Sequence, residues 1–151
     1  MVLNTIRSKL QPLALTFLRV TVGLIMAVHG WDKLTHIDAM AAGFSSMGFA
    51  NPQLMVILAI AGELGGGLGL LVGFLTPLAA LGVFSTMAVA VFGVHLSNGL
   101  LAKNGGFEYP LTLLAVAFFF MIYGGGAWSL DAVVCRKCSK RRASGGTSCC
   151  G

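Results

Sequence analysis

The stretch that decides the fold is Ala59–Gly73, AIAGELGGGLGLLVG, which sets one carboxylate, Glu63, among apolar residues and six glycines. It lies within a 23-residue apolar run, 53–75, and a helix that crosses a bilayer needs ~20 residues. A charged acid near mid-bilayer costs ~2.5–3.5 kcal/mol even on permissive scales, so Glu63 is expected to face protein or a polar cavity and to have a partner. Gly62, Gly66, Gly69 and Gly73 fall within ~60° of one another on a helix with a 3.6-residue period. A flat stripe of that kind lets a second backbone approach closely, as small residues do between membrane helices.

Outward from this run the chain reads as further spans. Residues 1–12 are a short polar lead, and 13–29 is apolar except for Arg19, with Pro12 suited to a first helical turn. A basic start before an apolar stretch resembles a signal peptide, but the later spans make an uncleaved helix the expected reading. In the loop that follows, Ile37, Met40, Ala41, Phe44 and Met47 recur at helical spacing, which predicts a short amphipathic helix at the membrane interface. A Thr76-Pro77 turn leads into a span at 77–96, whose Gly82, Thr86, Val89 and Gly93 form a matching small-residue face. Pro110 opens a span expected to continue past the Gly124–Gly126 run to about residue 128, with Trp128 at the interface. The fold class is therefore all-α, a four-span bundle (13–29, 53–75, 77–96, 110–128) with an interfacial helix in the first outer loop. Residues 135–151 have the composition of a disordered tail.

Composition supports this. The chain of 151 residues is 56% hydrophobic and 10% charged, with a mean hydropathy of +0.86, far from the roughly one-quarter charged content of soluble domains. The net charge of +5 comes wholly from Arg136, Lys137, Lys140, Arg141 and Arg142. Basic residues beside a span mark the cytoplasmic face, so both termini are expected in the cytoplasm. Nucleic acid is not an expected partner. The bilayer is, and a homo-oligomer is among the assemblies such a bundle can form.

Chemistry-bearing residues fall into three groups. Arg19 and Glu63 come out at similar depth when counted from the span ends, so they are expected to pair and to border an internal polar site; the alternative is a pair that only sets helix register. At the outer rim sit His29, Lys33, His95 and Glu108. Two histidines and a glutamate are a candidate metal set, although no HxxxH spacing supports it, and a quinone-type headgroup fits these donors more readily. In the tail, Cys135, Cys138, Cys149 and Cys150 form a CxxC and an adjacent pair, open to thiol chemistry, soft-metal binding, lipidation or no role. No phosphate-binding loop, nucleophile elbow or zinc-protease motif is present in the sequence.

Several short motifs together resemble the DoxX family of small four-helix membrane proteins: LRVTVGLIMAVHGWDK, AGELGGGLGLLVGFLTPLAA, GGFEYP and AWSLD, in that order between residues 18 and 131. The resemblance implies Arg19, His29, Lys33, Glu63 and Glu108 as positions of interest. One branch of that family supplies the membrane subunit of a thiosulfate:quinone oxidoreductase, and another relative belongs to a membrane oxidoreductase complex with a superoxide dismutase and a sulfurtransferase. The expected function is a membrane subunit linking sulfur or thiol chemistry to the quinone pool, with a soluble redox or sulfurtransferase partner. The alternatives are a non-catalytic anchor or assembly factor, and soft-metal handling through the cysteines, which lie outside the family pattern.

Overall fold

A computed structural model describes residues 2–143, with side chains from 6 to 138, and no strand occurs among them. The helices are α1 (Val2–Thr35), α2 (Ile37–Ser46), α3 (Pro52–Val72), α4 (Thr76–Asn98), α5 (Glu108–Tyr123) and α6 (Leu130–Ala143). Helices α1, α3 and α4 are long and apolar enough to cross a membrane. The apolar α5 has 16 residues and is ~24 Å long. It crosses the bundle from the loop beside His95 to the start of α1, where Gln11 Nε2 donates to the Tyr123 hydroxyl at 3.2 Å. The core joins Val22 and Met26 of α1, Leu70 of α3, Ala80, Val83 and Met87 of α4, and Leu113, Ala117 and Phe120 of α5.

Local sequence sets most helix ends. Asn51 caps α3 by accepting from Leu54 N at 3.2 Å, with Pro52 in the first turn. Gly73, in the left-handed region at φ 71°, ends α3; Phe74 N–H reaches back to Gly69 O at 2.9 Å and Gly73 N–H to Leu70 O at 3.1 Å. The expected interfacial helix is α2. Other boundaries differ from expectation. Helix α1 begins at Val2, so Pro12 lies inside it and not in its first turn. Helix α5 stops at Tyr123 and does not reach Trp128, because Gly124 and Gly126 both take φ 76°. The tail is helical to Ala143 where disorder was expected, and 144–151 lie outside the described residues.

Two glycine seams hold the bundle. The stripe on α3 packs on α4: a Cβ at Gly62 would meet the Thr86 methyl at 2.5 Å and Gly82 O at 2.8 Å, and one at Gly66 would meet Ala79 O at 2.7 Å. A second seam joins α1 to α3. A Cβ at Gly23 would lie 2.5 Å from Leu71 N, one at Gly67 would lie 2.5 Å from Ala27 N, and Gly30 presses on Leu64. These backbone approaches fix an antiparallel register. Continued along α1, it sets Arg19 opposite the end of α3 and Lys33 opposite Ala61–Gly62.

The register overturns the expected Arg19–Glu63 pair. Arg19, 2% exposed, donates to Leu70 O at 2.5 Å, Leu71 O at 3.0 Å and Trp128 O at 2.9 Å. Leu70 and Leu71 lie about two turns beyond Glu63 along α3, ~11 Å away. A guanidinium on the last carbonyls of a helix is well placed both as a donor and against the helix dipole. Next to it Asp131 caps α4, its carboxylate accepting from Leu75 N (2.7 Å), Thr76 N (2.8 Å) and Thr76 Oγ1 (2.6 Å). Those bonds hold Leu75 at φ 46°, a conformation that costs of order 1–3 kcal/mol. Ser129 Oγ caps α6 by accepting from Ala132 N at 3.1 Å.

Two measurements check this arrangement. In a double-mutant cycle, Arg19→Met and Glu63→Gln should add to within ~0.5 kcal/mol, because the side chains do not meet; coupling of 2 kcal/mol or more would restore the discarded pair. Gly67→Val should lower the melting temperature in detergent sharply, since overpacking costs ~1–3 kcal/mol or more and the obstruction here is backbone. Gly65→Ala should be neutral or stabilising by up to ~1 kcal/mol, because a Cβ there meets nothing within 4 Å.

Candidate functional site

The partner of Glu63 is Lys33. Lys33 Nζ donates to Glu63 Oε2 at 2.5 Å; Glu63 is 5% exposed, and the Lys33 side chain 20%. The α1–α3 seam brings them together, with Gly30 against Leu64 one turn below Lys33. Glu63 lies at the centre of a π-helical turn, Ala61–Gly65. A π turn adds one residue to a helical turn, re-aims the side chains around it and occurs often at functional sites. Gly62 and Gly65 lie within this turn, and Gly66 and Gly67 follow it.

A cavity of about 670 Å³ opens beside the pair, within the ~300–1,000 Å³ range of small-molecule sites. It extends from the Gly62–Gly82 contact between α3 and α4 toward the loop end of the bundle, and α2 closes it with Met40, Phe44 and Met47. Met55, Leu58 and Ala59 of α3 and Val89, Ala90 and Val94 of α4 supply apolar wall. Polar groups are few: Lys33, Glu63, Ser85, Thr86 and His95. Both hydroxyls donate within their own helix, Ser85 to Leu81 O at 2.9 Å and Thr86 to Val83 O at 3.0 Å. Each therefore offers the cavity an acceptor and no proton.

His95 ends a second π-helical segment, Ala90–His95 of α4. Its Nδ1 is 2.7 Å from Gly105 O. A carbonyl can only accept, so Nδ1 carries the proton and a neutral ring keeps Nε2 as an acceptor. Asn98 Nδ2 donates to the same carbonyl at 3.1 Å and so ties the 99–107 loop to the end of α4.

Of the six intramembrane and rim candidates, the cavity brings together Lys33, Glu63 and His95. Arg19 lies at the other end of the bundle. His29 is exposed, its ring 6.3 Å from that of Tyr109. Glu108 serves the loop, its Oε1 accepting from Ala102 N at 2.8 Å. Among the described residues no three His, Cys, Asp or Glu side chains are grouped so as to hold a metal ion. Cys135 and Cys138 lie one turn apart on α6, while Cys149 and Cys150 fall outside the described residues. Sequence reasoning missed Ser85 and the three methionines of the cavity wall. It had used Thr86 only as a packing residue and Met40 and Met47 only as periodicity.

Comparison with known proteins places the chain. A family model described as DoxX matches residues 14–96. Inner membrane protein YphA of Escherichia coli is 31% identical over 138 residues, which cover 85% of this chain and 99% of that protein. Inner membrane protein YqjF of the same organism is 29% identical over 131 residues, covering 85% and 98%. A Haemophilus influenzae protein is 33% identical over 128 residues, covering 82% and 92%. No solved structure gives a significant match. With the family model matching more than half of its length and these relatives aligned along nearly all of theirs, this chain belongs to the DoxX family and is an integral membrane protein.

Proposed function

We propose that the protein is a quinone-binding membrane subunit of a redox system that links sulfur or thiol chemistry to the quinone pool. The observation that carries this reading is the cavity between α2, α3 and α4: a half-open, mainly apolar space with one ion pair, one histidine and two hydroxyls on its walls. A quinone has that character, a polar-edged ring on an apolar chain. The aliphatic and methionine walls suit the ring faces and the first units of the chain, and Lys33 supplies a donor for a ring oxygen. The sulfur side of the reading rests on membership of the DoxX family, one branch of which supplies the membrane subunit of a thiosulfate:quinone oxidoreductase.

In this reading both termini lie in the cytoplasm, because Arg7, Lys9 and the basic residues from Arg136 onward share the Arg19 end of the bundle. The cavity then lies toward the outer leaflet, and a soluble redox or sulfurtransferase partner docks at the opposite end, on α6 and the residues beyond it. A C-terminal green fluorescent protein fusion should fluoresce and an alkaline phosphatase fusion should be inactive; the reverse pair of results would invert the orientation. Truncation after Val134 should release the partner and leave quinone binding intact.

Lipid extracted from protein purified in mild detergent should contain quinone in excess of the surrounding lipid. Added short-chain quinone should raise the melting temperature, since a ligand at 100 times its Kd stabilises by ~2.7 kcal/mol. Gly43 lines the cavity from α2, and a Cβ there meets nothing within 4 Å. Gly43→Phe is therefore expected to fill the cavity, abolish both effects and keep the fold. Recovery of no quinone, with no quinone-dependent stabilisation of the wild type, would defeat the proposal.

A further inference from the structure

The Lys33–Glu63 pair leaves part of its hydrogen-bonding capacity unused. Lys33 has three N–H donors, and the contact with Glu63 Oε2 occupies one of them. The Glu63 side chain bonds to no other described residue, so Oε1 keeps its lone pairs although the residue is 5% exposed. Both side chains line the cavity. An oxygen atom that settles against the pair meets a donor on one side and an acceptor on the other.

A carbonyl oxygen accepts from Lys33 but sets its own lone pairs against the carboxylate. A hydroxyl accepts from Lys33 and donates to Glu63 Oε1, satisfying both. We infer that the ion pair selects a ring hydroxyl over a ring carbonyl, so that the cavity holds the reduced quinol in preference to the quinone. This rests on the reading of the cavity as a quinone site and adds to it the redox state of the preferred occupant. Lys33 and Glu63 are then the specificity-determining residues at that oxygen. The preference also has a direction. Tighter binding of the reduced form makes the bound quinone easier to reduce than the free one, by about 30 mV for each tenfold in affinity ratio.

The test uses the full chain in nanodiscs and three probes: decylubiquinol, decylubiquinone, and the dimethyl ether of the quinol, which keeps the ring and cannot donate. The quinol should bind about tenfold tighter than the quinone or more, because an unmatched buried polar group is costly, and the ether should bind like the quinone. In Glu63→Gln the side-chain amide can donate to a carbonyl, so the ratio should fall to within about twofold. Equal affinity for quinol and ether in the wild type would overturn the inference, as would an unchanged ratio in a folded Glu63→Gln variant. Should that variant fail to fold, the wild-type comparison of quinol with ether decides alone. Binding of all three probes with equal strength removes the preference and leaves the quinone site standing; binding of none removes the site as well.

Discussion

Backbone contact between α1 and α3, at Gly23, Ala27 and Gly67, determines which charges in this bundle can meet. Apolar side chains gain little from leaving lipid, so membrane helices associate through close packing and polar bonds. Where a Cβ would fall 2.5 Å from a backbone nitrogen, the helices cannot slide by a turn without steric clash. The seam therefore acts as a ruler. It places the guanidinium of Arg19 at the last turn of α3 and the ammonium of Lys33 beside the π turn, although neither placement follows from the attraction of opposite charges alone.

The two ends of the bundle treat buried polarity in opposite ways. At one end, Arg19 serves three carbonyls and Asp131 accepts three hydrogen bonds. Cation and anion there close the two halves of the α3–α4 turn: Arg19 takes the carbonyls that end one helix, and Asp131 the amides that begin the next. At the other end, among the described residues, the cation and the anion bond to each other beside a cavity. Burial of a charge is thus a poor guide to function in this protein. The more buried of the two cations holds the fold together, and the less buried one faces the space where a ligand fits.

The helices, the interfacial α2 and the α3–α4 seam were legible in the sequence because each is a periodic pattern within one segment. The partner of Glu63 was not, since it depends on how two segments are offset. Counting depth from an apolar boundary at Leu13 treated the membrane edge as the ruler, whereas the ruler is the Gly23, Ala27 and Gly30 face of α1. Those residues recur at four- and three-residue spacing, the same signal that identified the stripe on α3, and would have given the register if set against it. Lys33 and His95 were legible as rim residues, but their convergence with Glu63 required the offsets of α1 and α4 against α3. The end of α5 was misjudged because a run of glycines was assigned to a helix that needed length, while two of the three adopt positive φ. Nothing in local sequence marks a π turn, which is a change of hydrogen-bond partner and not of residue type.

That turn explains how one short segment serves three neighbours. On α3, Gly62 and Gly66 lie against α4, and Gly67 lies against α1; both faces are occupied by backbone at contact distance. Glu63 must pass between them to reach Lys33 while keeping an oxygen at the cavity. In an uninterrupted α-helix the side chain at 63 shares a face with position 67, where a Cβ would lie 2.5 Å from Ala27 N. The added residue of the π turn relaxes that stacking. The glycines of this stretch therefore divide by neighbour, Gly62 and Gly66 admitting α4 and Gly67 admitting α1, while the π turn between them sets the carboxylate beside its cation on α1.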